Sequence, residues 1–255
     1  MTRRVALILA AVSMGALAGC DGVVGARMTF DDTEATKITE IVLSGGSSDL
    51  IVNTDSTATE TRIRRVVYGG TDPGPSYDLA GGVLTLKGEC GPECGVHFEI
   101  TAPPGVGVRG ELRSGDVSLS GVGAVDLRLT SGDVMVDRGT GPVKVRATSG
   151  DLVVNGGTEV NMETTSGNLD VREVTGPVTA RASSGDINLD LSARASVTAS
   201  VSSGEVRVMV PSGAYQLKTW SGSGQQDIVG VTDDPKSTNV LDVRTRDGDL
   251  TLIGR

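Results

Sequence analysis

The chain has 255 residues, 23 Lys+Arg against 32 Asp+Glu, one His, and a formal net charge of −9. This length allows one large or two small domains, and 38% hydrophobic with 22% charged residues lies outside the disordered range. An aromatic content of 2% argues against a ring-lined small-molecule pocket, and the acidic balance argues against a nucleic-acid surface, which needs basic patches and stacking side chains.

Arg3 and Arg4 open the chain, residues 5–18 are apolar, and Leu17-Ala18-Gly19-Cys20 closes the run. A basic start, an apolar stretch too short to span a bilayer and small residues before a cleavage point make an export signal. The last four residues resemble the bacterial lipobox, which implies cleavage before Cys20 and a diacylglyceryl anchor on its thiol. Residues 1–19 thus read as a lipoprotein signal peptide and Cys20 as the lipidation site. The membrane becomes a partner through that lipid, and the chain is expected at the cell membrane on its extracytoplasmic side. The alternative is an ordinary secretory signal in which Cys20 is incidental. Loss of Arg3 and Arg4 would leave the mature chain more acidic still. Anionic lipid would repel that body, and the acyl chains alone would tether it. Residues 20–36 show no clear period and read as a tether, with Phe30 placed to pack on the first strand.

Residues 37–110 are expected to form a less regular N-terminal β cap that blocks the first open edge. Within them, 41–43 and 50–52 read as strands around Ser44-Gly45-Gly46-Ser47-Ser48-Asp49. Residues 63–68 read as a strand, and 83–86 with 96–100 as a hairpin closed by Cys90-Gly91-Pro92-Glu93-Cys94.

From residue 111 onward the chain repeats. Ser-Gly-acid recurs at Gly115, Gly132, Gly150, Gly167 (followed by Asn168), Gly185 and Gly204, and Ser221-Gly222 continues it without the acid. Successive glycines from Gly115 to Gly222 lie 17, 18, 17, 18, 19 and 18 residues apart. A 26-residue step to Asp247-Gly248-Asp249 implies an insertion. Apolar residues alternate on both sides, as in Val125, Leu127, Leu129 before Gly132 and Val134, Val136 after it. Strict alternation means strands with one buried face. A unit of two short strands cannot hide that face alone, whereas stacked units can, each strand pairing with its equivalent in the next. No helical stretch is present to make parallel crossovers of the usual kind. The fold class expected for 111–255, continuous with 37–110, is all-β: a single-stranded parallel β-solenoid (β-helix) with two short strands per rung of 17–19 residues. The six glycines are its corner turns, where the chain needs φ > 0, and Ser and Asp beside them bond to nearby backbone.

The layout resembles the bacterial putative-adhesin β-solenoid family, a conserved domain of unknown function. The matching residues are the strand pair around residues 44–52, the segment Gly81-Gly82-Val83-Leu84-Thr85-Leu86, residues 96–105 (VHFEITAPPG) and the Ser-Gly-Asp ladder. The resemblance covers residues 37–255 and implies adhesion, with no catalytic residues to carry over.

Cys90 and Cys94 sit across a tight Gly-Pro turn in an exported chain, so a disulfide is expected. The rival is a metal site with His97, which would lack the usual fourth ligand. The acidic row Asp116, Asp133, Asp151, Asn168, Asp186 and Glu205 stacks like charges about 4.8 Å apart. Turn hydrogen bonds and solvent would offset them, or else divalent cations; the denser calcium-binding repeat is absent. The serine row beside it (Ser114, Ser131, Ser149, Ser166, Ser184, Ser203, Ser221) reads as a stabilising ladder, with glycan or ice binding as rivals. Outward residues such as Arg128, Arg146, Glu163, Arg181 and Arg244 read as a solvated face of cross-strand pairs. Trp220 replaces a small residue of its column; it either packs under the insertion or, if exposed, is a contact residue. No catalytic set, metal site or cofactor is expected. One His gives no conventional triad, and no Gly-x-Ser-x-Gly motif is present. The expected function is a non-enzymatic, lipid-anchored envelope protein that meets an envelope protein or glycan. A structural module stacking through its terminal rung is the alternative, and a carbohydrate-active enzyme a lesser one.

Overall fold

The computed structural model describes residues 26–69, 74, 76–89 and 94–255. The described residues hold 24 β-strands and no helix. The chain begins with β1 (Ala26–Glu34), β2 (Glu40–Gly46), β3 (Ser48–Thr54), β4 (Thr61–Gly69), β5 (Tyr77–Ala80), β6 (Val83–Gly88) and β7 (Gly95–Ala102). Strand pairs follow: β8 (Gly107–Ser114) with β9 (Val117–Ser120), β10 (Val125–Ser131) with β11 (Val134–Gly139), and β12 (Val143–Ser149) with β13 (Leu152–Gly156). Next come β14 (Val160–Ser166) with β15 (Leu169–Val174), β16 (Val178–Ser184) with β17 (Ile187–Leu191), and β18 (Val197–Ser203) with β19 (Val206–Val210). The last strands are β20 (Gly213–Ser221), β21 (Gln226–Val229), β22 (Val231–Asp233), β23 (Val240–Asp247) and β24 (Leu250–Gly254).

These strands form two 12-stranded sheets. The first runs β1-β4-β7-β3-β9-β11-β13-β15-β17-β19-β24-β21, and the second β22-β20-β23-β18-β16-β14-β12-β10-β8-β2-β6-β5. Each repeat unit donates one strand to each sheet, and equivalent strands pair in parallel. Val134 lies between Val117 and Leu152, and Leu152 pairs onward with Leu169, all of them buried. The outward residues between these columns are polar in most coils. One core runs from Ile38 to Leu252 and is filled mainly by valine, leucine and isoleucine. β-Branched side chains suit a pleated, half-buried surface, so composition and pairing agree.

The N-terminal region departs from expectation in three ways. Residues 26–34 of the expected tether form β1, antiparallel to β4 over its whole length. Phe30 packs against the core from this strand. The expected hairpin is not one: β6 pairs in the second sheet with β2 and β5, while β7 pairs in the first with β3 and β4. Their separation into two sheets makes them a coil of the solenoid, and the cap is instead the antiparallel strands β1, β4 and β5. The first coil in sequence, β2 and β3, is also not the first in space; it lies between the β6–β7 coil and the β8–β9 coil.

The C-terminal end repeats this arrangement. The last coil in sequence, β23 and β24, slots between β18–β19 and β20–β21. Leu217 pairs with Leu241 and Thr219 with Val243, a register two residues away from the one that would set the Gly222 corner on Gly248. The shift moves the corner: Ser223-Gly224-Gln225, not Ser221-Gly222, sits on Gly248-Asp249. The outermost coil is therefore residues 213–229, with β22 added outside β20 on the second sheet, rather than the chain end.

Candidate functional site

The corner glycines are required by two independent constraints. Gly132 has φ +129°, and a Cβ built there would lie 2.1 Å from the carbonyl oxygen of Gly115 in the coil below. Backbones of successive coils thus touch along this edge, with no room for a side chain.

The acid after each glycine bonds along the axis rather than within its own turn. The Asp116 N–H donates to Asp49 Oδ1 at 3.0 Å, Asp133 N–H to Asp116 Oδ1 at 2.9 Å, and Asp151 N–H to Asp133 Oδ1 at 2.8 Å. The chain of bonds continues to Asn168, Asp186 and Glu205. Asn168 Oδ1 accepts from Asp186 N–H at 2.9 Å, so the ladder needs an acceptor and not a charge. Asp49 is its first member, with Ser48 in the place of the glycine beneath Gly115. The serine row is less regular: Ser114 donates to Ser47 at 2.7 Å and Ser221 to the Gly248 carbonyl at 3.1 Å.

Ion pairs occur on both sheets, among them Arg64 with Asp31 and Arg172 with Asp170 on the first, and the corner acid row stands apart from them. On the second sheet, cations and carboxylates neutralise one another across strands: Arg109 with Glu40 at 2.6 Å, Arg128 with Glu111 at 3.3 Å, Lys144 with Asp126 at 3.5 Å, and Arg146 with Glu163 at 3.2 Å. On the first sheet, Asp116, Asp133 and Asp151 have no ion-pair partner among the described residues. Only His97 approaches the row, 3.7 Å from Asp49, and it also lies 3.4 Å from Glu99. One step across the strands the outward column reads Ile51, Ser118, Met135, Val153. With the acids and His97 these residues line a shallow groove of about 540 Å³. Met135 is 52% exposed. This apolar strip escaped the sequence reading because its residues sit at outward positions, where alternation predicts polar side chains; three apolar exceptions on adjacent strands were the available signal.

Other features are structural. Arg65 is 6% exposed; it lies 4.1 Å from the Phe30 ring centroid and donates to the Gly74 carbonyl and Ser76 Oγ, each at 2.7 Å. It joins the cap strands to the 74–76 segment. Burial, and then a hydrogen bond to Glu34, pushes the Tyr77 phenol up to about 12. Trp220 is 51% exposed at the outer end of the second sheet, so it does not pack under the insertion. Among the described residues no group of three His, Cys, Asp or Glu side chains could hold a metal ion. Cys94 is partly buried against the core. Cys90 and Cys20 lie outside the described residues, as does the signal peptide.

Two parallel sheets stacked from two-strand coils, with antiparallel strands only at one end, define a parallel β-solenoid. A family model, Toastrack DUF4097, matches residues 111–253, and the chain belongs to that family. No curated protein matches it. Three solved structures share the fold, each described as a putative adhesin. The one from Parabacteroides distasonis has a TM-score of 0.60 at 13% identity, covering 90% of this chain and 98% of its own. That from Parabacteroides merdae has 0.57 at 13%, covering 90% and 97%. That from Bacteroides fragilis has 0.53 at 15%, covering 89% and 97%.

Proposed function

We propose that this chain is a lipid-anchored extracytoplasmic β-solenoid that binds a partner at the cell envelope and is not an enzyme. The observation that carries the binding role is the filled interior. Inward columns pack the prism along its whole length, so only the outward rows are free to meet other molecules. The adhesin description of the structural neighbours is consistent with this role. The lipobox supports the anchor, and the fold gives it a geometry. β1 begins at Ala26, so five residues lie between it and Cys20, and the six steps of chain reach about 20 Å at full extension. The anchor would hold one end of the prism close to lipid. The outermost strand β21 lies eleven strand spacings away, about 50 Å. A Cys90–Cys94 disulfide would close the 90–94 turn on the cap.

The test is metabolic labelling with a fatty acid and membrane fractionation of the wild type and Cys20→Ala. Label and membrane association in the wild type, both lost in the variant, are expected; an unlabelled wild type refutes the anchor. Cross-linking on intact cells then tests binding.

A second reading is favoured by the open end. No strand among the described residues covers the outer edge of β21, all four residues of which are exposed, including Ile228 and Val229. Unpaired edges with apolar side chains invite strand addition. Stacking through this coil predicts oligomers in light scattering that Val229→Lys disperses; a wild-type monomer refutes it.

A further inference from the structure

We propose that the groove on the outer face of the first sheet binds a cationic, partly apolar peptide segment of a partner protein. The proposal rests on the envelope-binding reading above and names its partner class. Ile51, Met135 and Val153 form an apolar strip across strands β3, β9, β11 and β13, interrupted only by Ser118. Beside it stand Asp49, Asp116, Asp133 and Asp151, stacked at the strand spacing of about 4.8 Å. Each of the last three spends one carboxylate oxygen on the axial ladder and has no bond to the other among the described residues. Like charges this close repel, and the second sheet shows how the fold relieves such strain with cross-strand cations. Here no Lys or Arg among the described residues pairs with Asp116, Asp133 or Asp151. A partner that brings Lys or Arg side chains along the acid row would relieve the repulsion, while its apolar residues cover the strip.

Rival ligands fit less well. A single metal ion would need three or more ligands converging, and no such group occurs among the described residues. A glycan would be expected to stack on a Trp, Tyr or Phe ring, and none of these lines the groove.

The ladder itself supplies a clean test. Asn168 already serves as an acceptor in it, so Asp116→Asn, Asp133→Asn and Asp151→Asn together remove charge while keeping the axial bonds. The probe is a short fluorescein-labelled peptide of alternating lysine and leucine, titrated against the full chain in nonionic detergent, with an all-lysine peptide and calcium chloride alongside. The alternating peptide should bind more tightly than the all-lysine one, and binding should weaken with added salt. The triple variant should bind roughly tenfold more weakly, as expected for three partly exposed charge pairs. Met135→Ser should weaken the alternating peptide severalfold and spare the all-lysine one. Unchanged melting of both variants confirms that the fold persists. Equal affinity of wild type and triple variant overturns the proposal, as does saturable calcium binding without peptide binding. Cross-links on intact cells separate the two levels. If they persist in the triple variant, the groove is not the contact face and the envelope role stands; if neither protein cross-links, that role itself falls.

Discussion

Gly132→Ala should be among the most damaging single-methyl additions this protein can suffer. At φ +129° an L side chain is strained, at about 1–3 kcal/mol. The new Cβ would also sit 2.1 Å from the Gly115 carbonyl oxygen, roughly 1 Å inside ordinary contact, and the obstacle is backbone rather than a movable side chain. Relief requires the two coils to part locally. That movement loosens Asp133 N–H to Asp116 Oδ1 at 2.9 Å and Val117 N–H to the Asp133 carbonyl at 2.9 Å. Each such bond contributes about 0.5–1.5 kcal/mol net. The combined loss is about 3–5 kcal/mol, a large share of the total stability of a typical domain. Gly81→Ala is the control. Its φ of +59° is also left-handed, but nothing lies within 4 Å of the added carbon, so conformational strain alone applies, about 1–2 kcal/mol. Urea unfolding followed by far-ultraviolet circular dichroism measures both. If Gly132→Ala loses no more than Gly81→Ala, contact between coil backbones is not what selects glycine at the corner.

Asp133→Ala should lower stability by about 1 kcal/mol through loss of an acceptor at an exposed corner, whereas Asp133→Asn should be near neutral or slightly stabilising because it also relieves repulsion; thermal melts of the pair decide. Arg65→Met should cost about 2–3 kcal/mol, since the Phe30 contact and two hydrogen bonds go together, and the loss should appear as increased hydrogen exchange in β1 before the repeat. Tyr77 adds a pH dependence. Its folded-state value is raised above the unfolded one, so its contribution is complete below pH about 10 and disappears as pH rises from there towards 12. Alkaline difference absorbance should show a late-ionising component that is missing in Tyr77→Phe; a titration unchanged by Tyr77→Phe would contradict this.

The repeat was legible because two signals coincide in it. Alternation marks the strands, and corner glycines mark the length of each coil, so Val134, Leu152 and Leu169 could be placed in one column before any coordinates. What failed was pairing order. Hydrophobic period says which face of β6 or β7 is buried, but both belong to two-sided structures whose neighbours are distant in sequence, and a hairpin and a coil have the same local pattern. Residues 26–34 were misjudged for a related reason. Their alternation of Met28, Phe30 and Asp32 against polar neighbours is short and half acidic, and only the presence of β4 and of Arg65 beneath Phe30 makes it a strand. At the C-terminal corner, Ser221-Gly222-Ser223-Gly224 offers two overlapping copies of one signal. The register between β20 and β23 chooses the second, because Leu217 then lies on Leu241 and Tyr215 is buried beyond it, its hydroxyl donating to the Pro211 carbonyl at 2.7 Å.

The interleaved ends bear on how such a stack stays one molecule. A simple solenoid has nearest-neighbour contacts only, and its terminal coils fray because each is held on one side. Here the coil nearest each terminus in sequence is held on both sides: β2–β3 by β6–β7 and β8–β9, and β23–β24 by β18–β19 and β20–β21. Peeling off β20–β21 breaks its pairing with β23–β24 and carries away β22, which pairs with β20 on the second sheet, but the exposed β23–β24 beneath remains paired to the body. To free β23–β24, both interfaces must go. The loosest strands are then internal loops of sequence whose two ends remain fixed in the stack, which limits how far they can open and shortens the loop they must close on return. The two ends of the stack are unequal. The β1 end adds an antiparallel, charged strand over its edge, whereas the β21 end presents Ile228 and Val229 without cover. Strand addition to a second molecule is accordingly favoured at the β21 end, and an edge charge introduced at β21 should alter assembly where the same change at β1 would not.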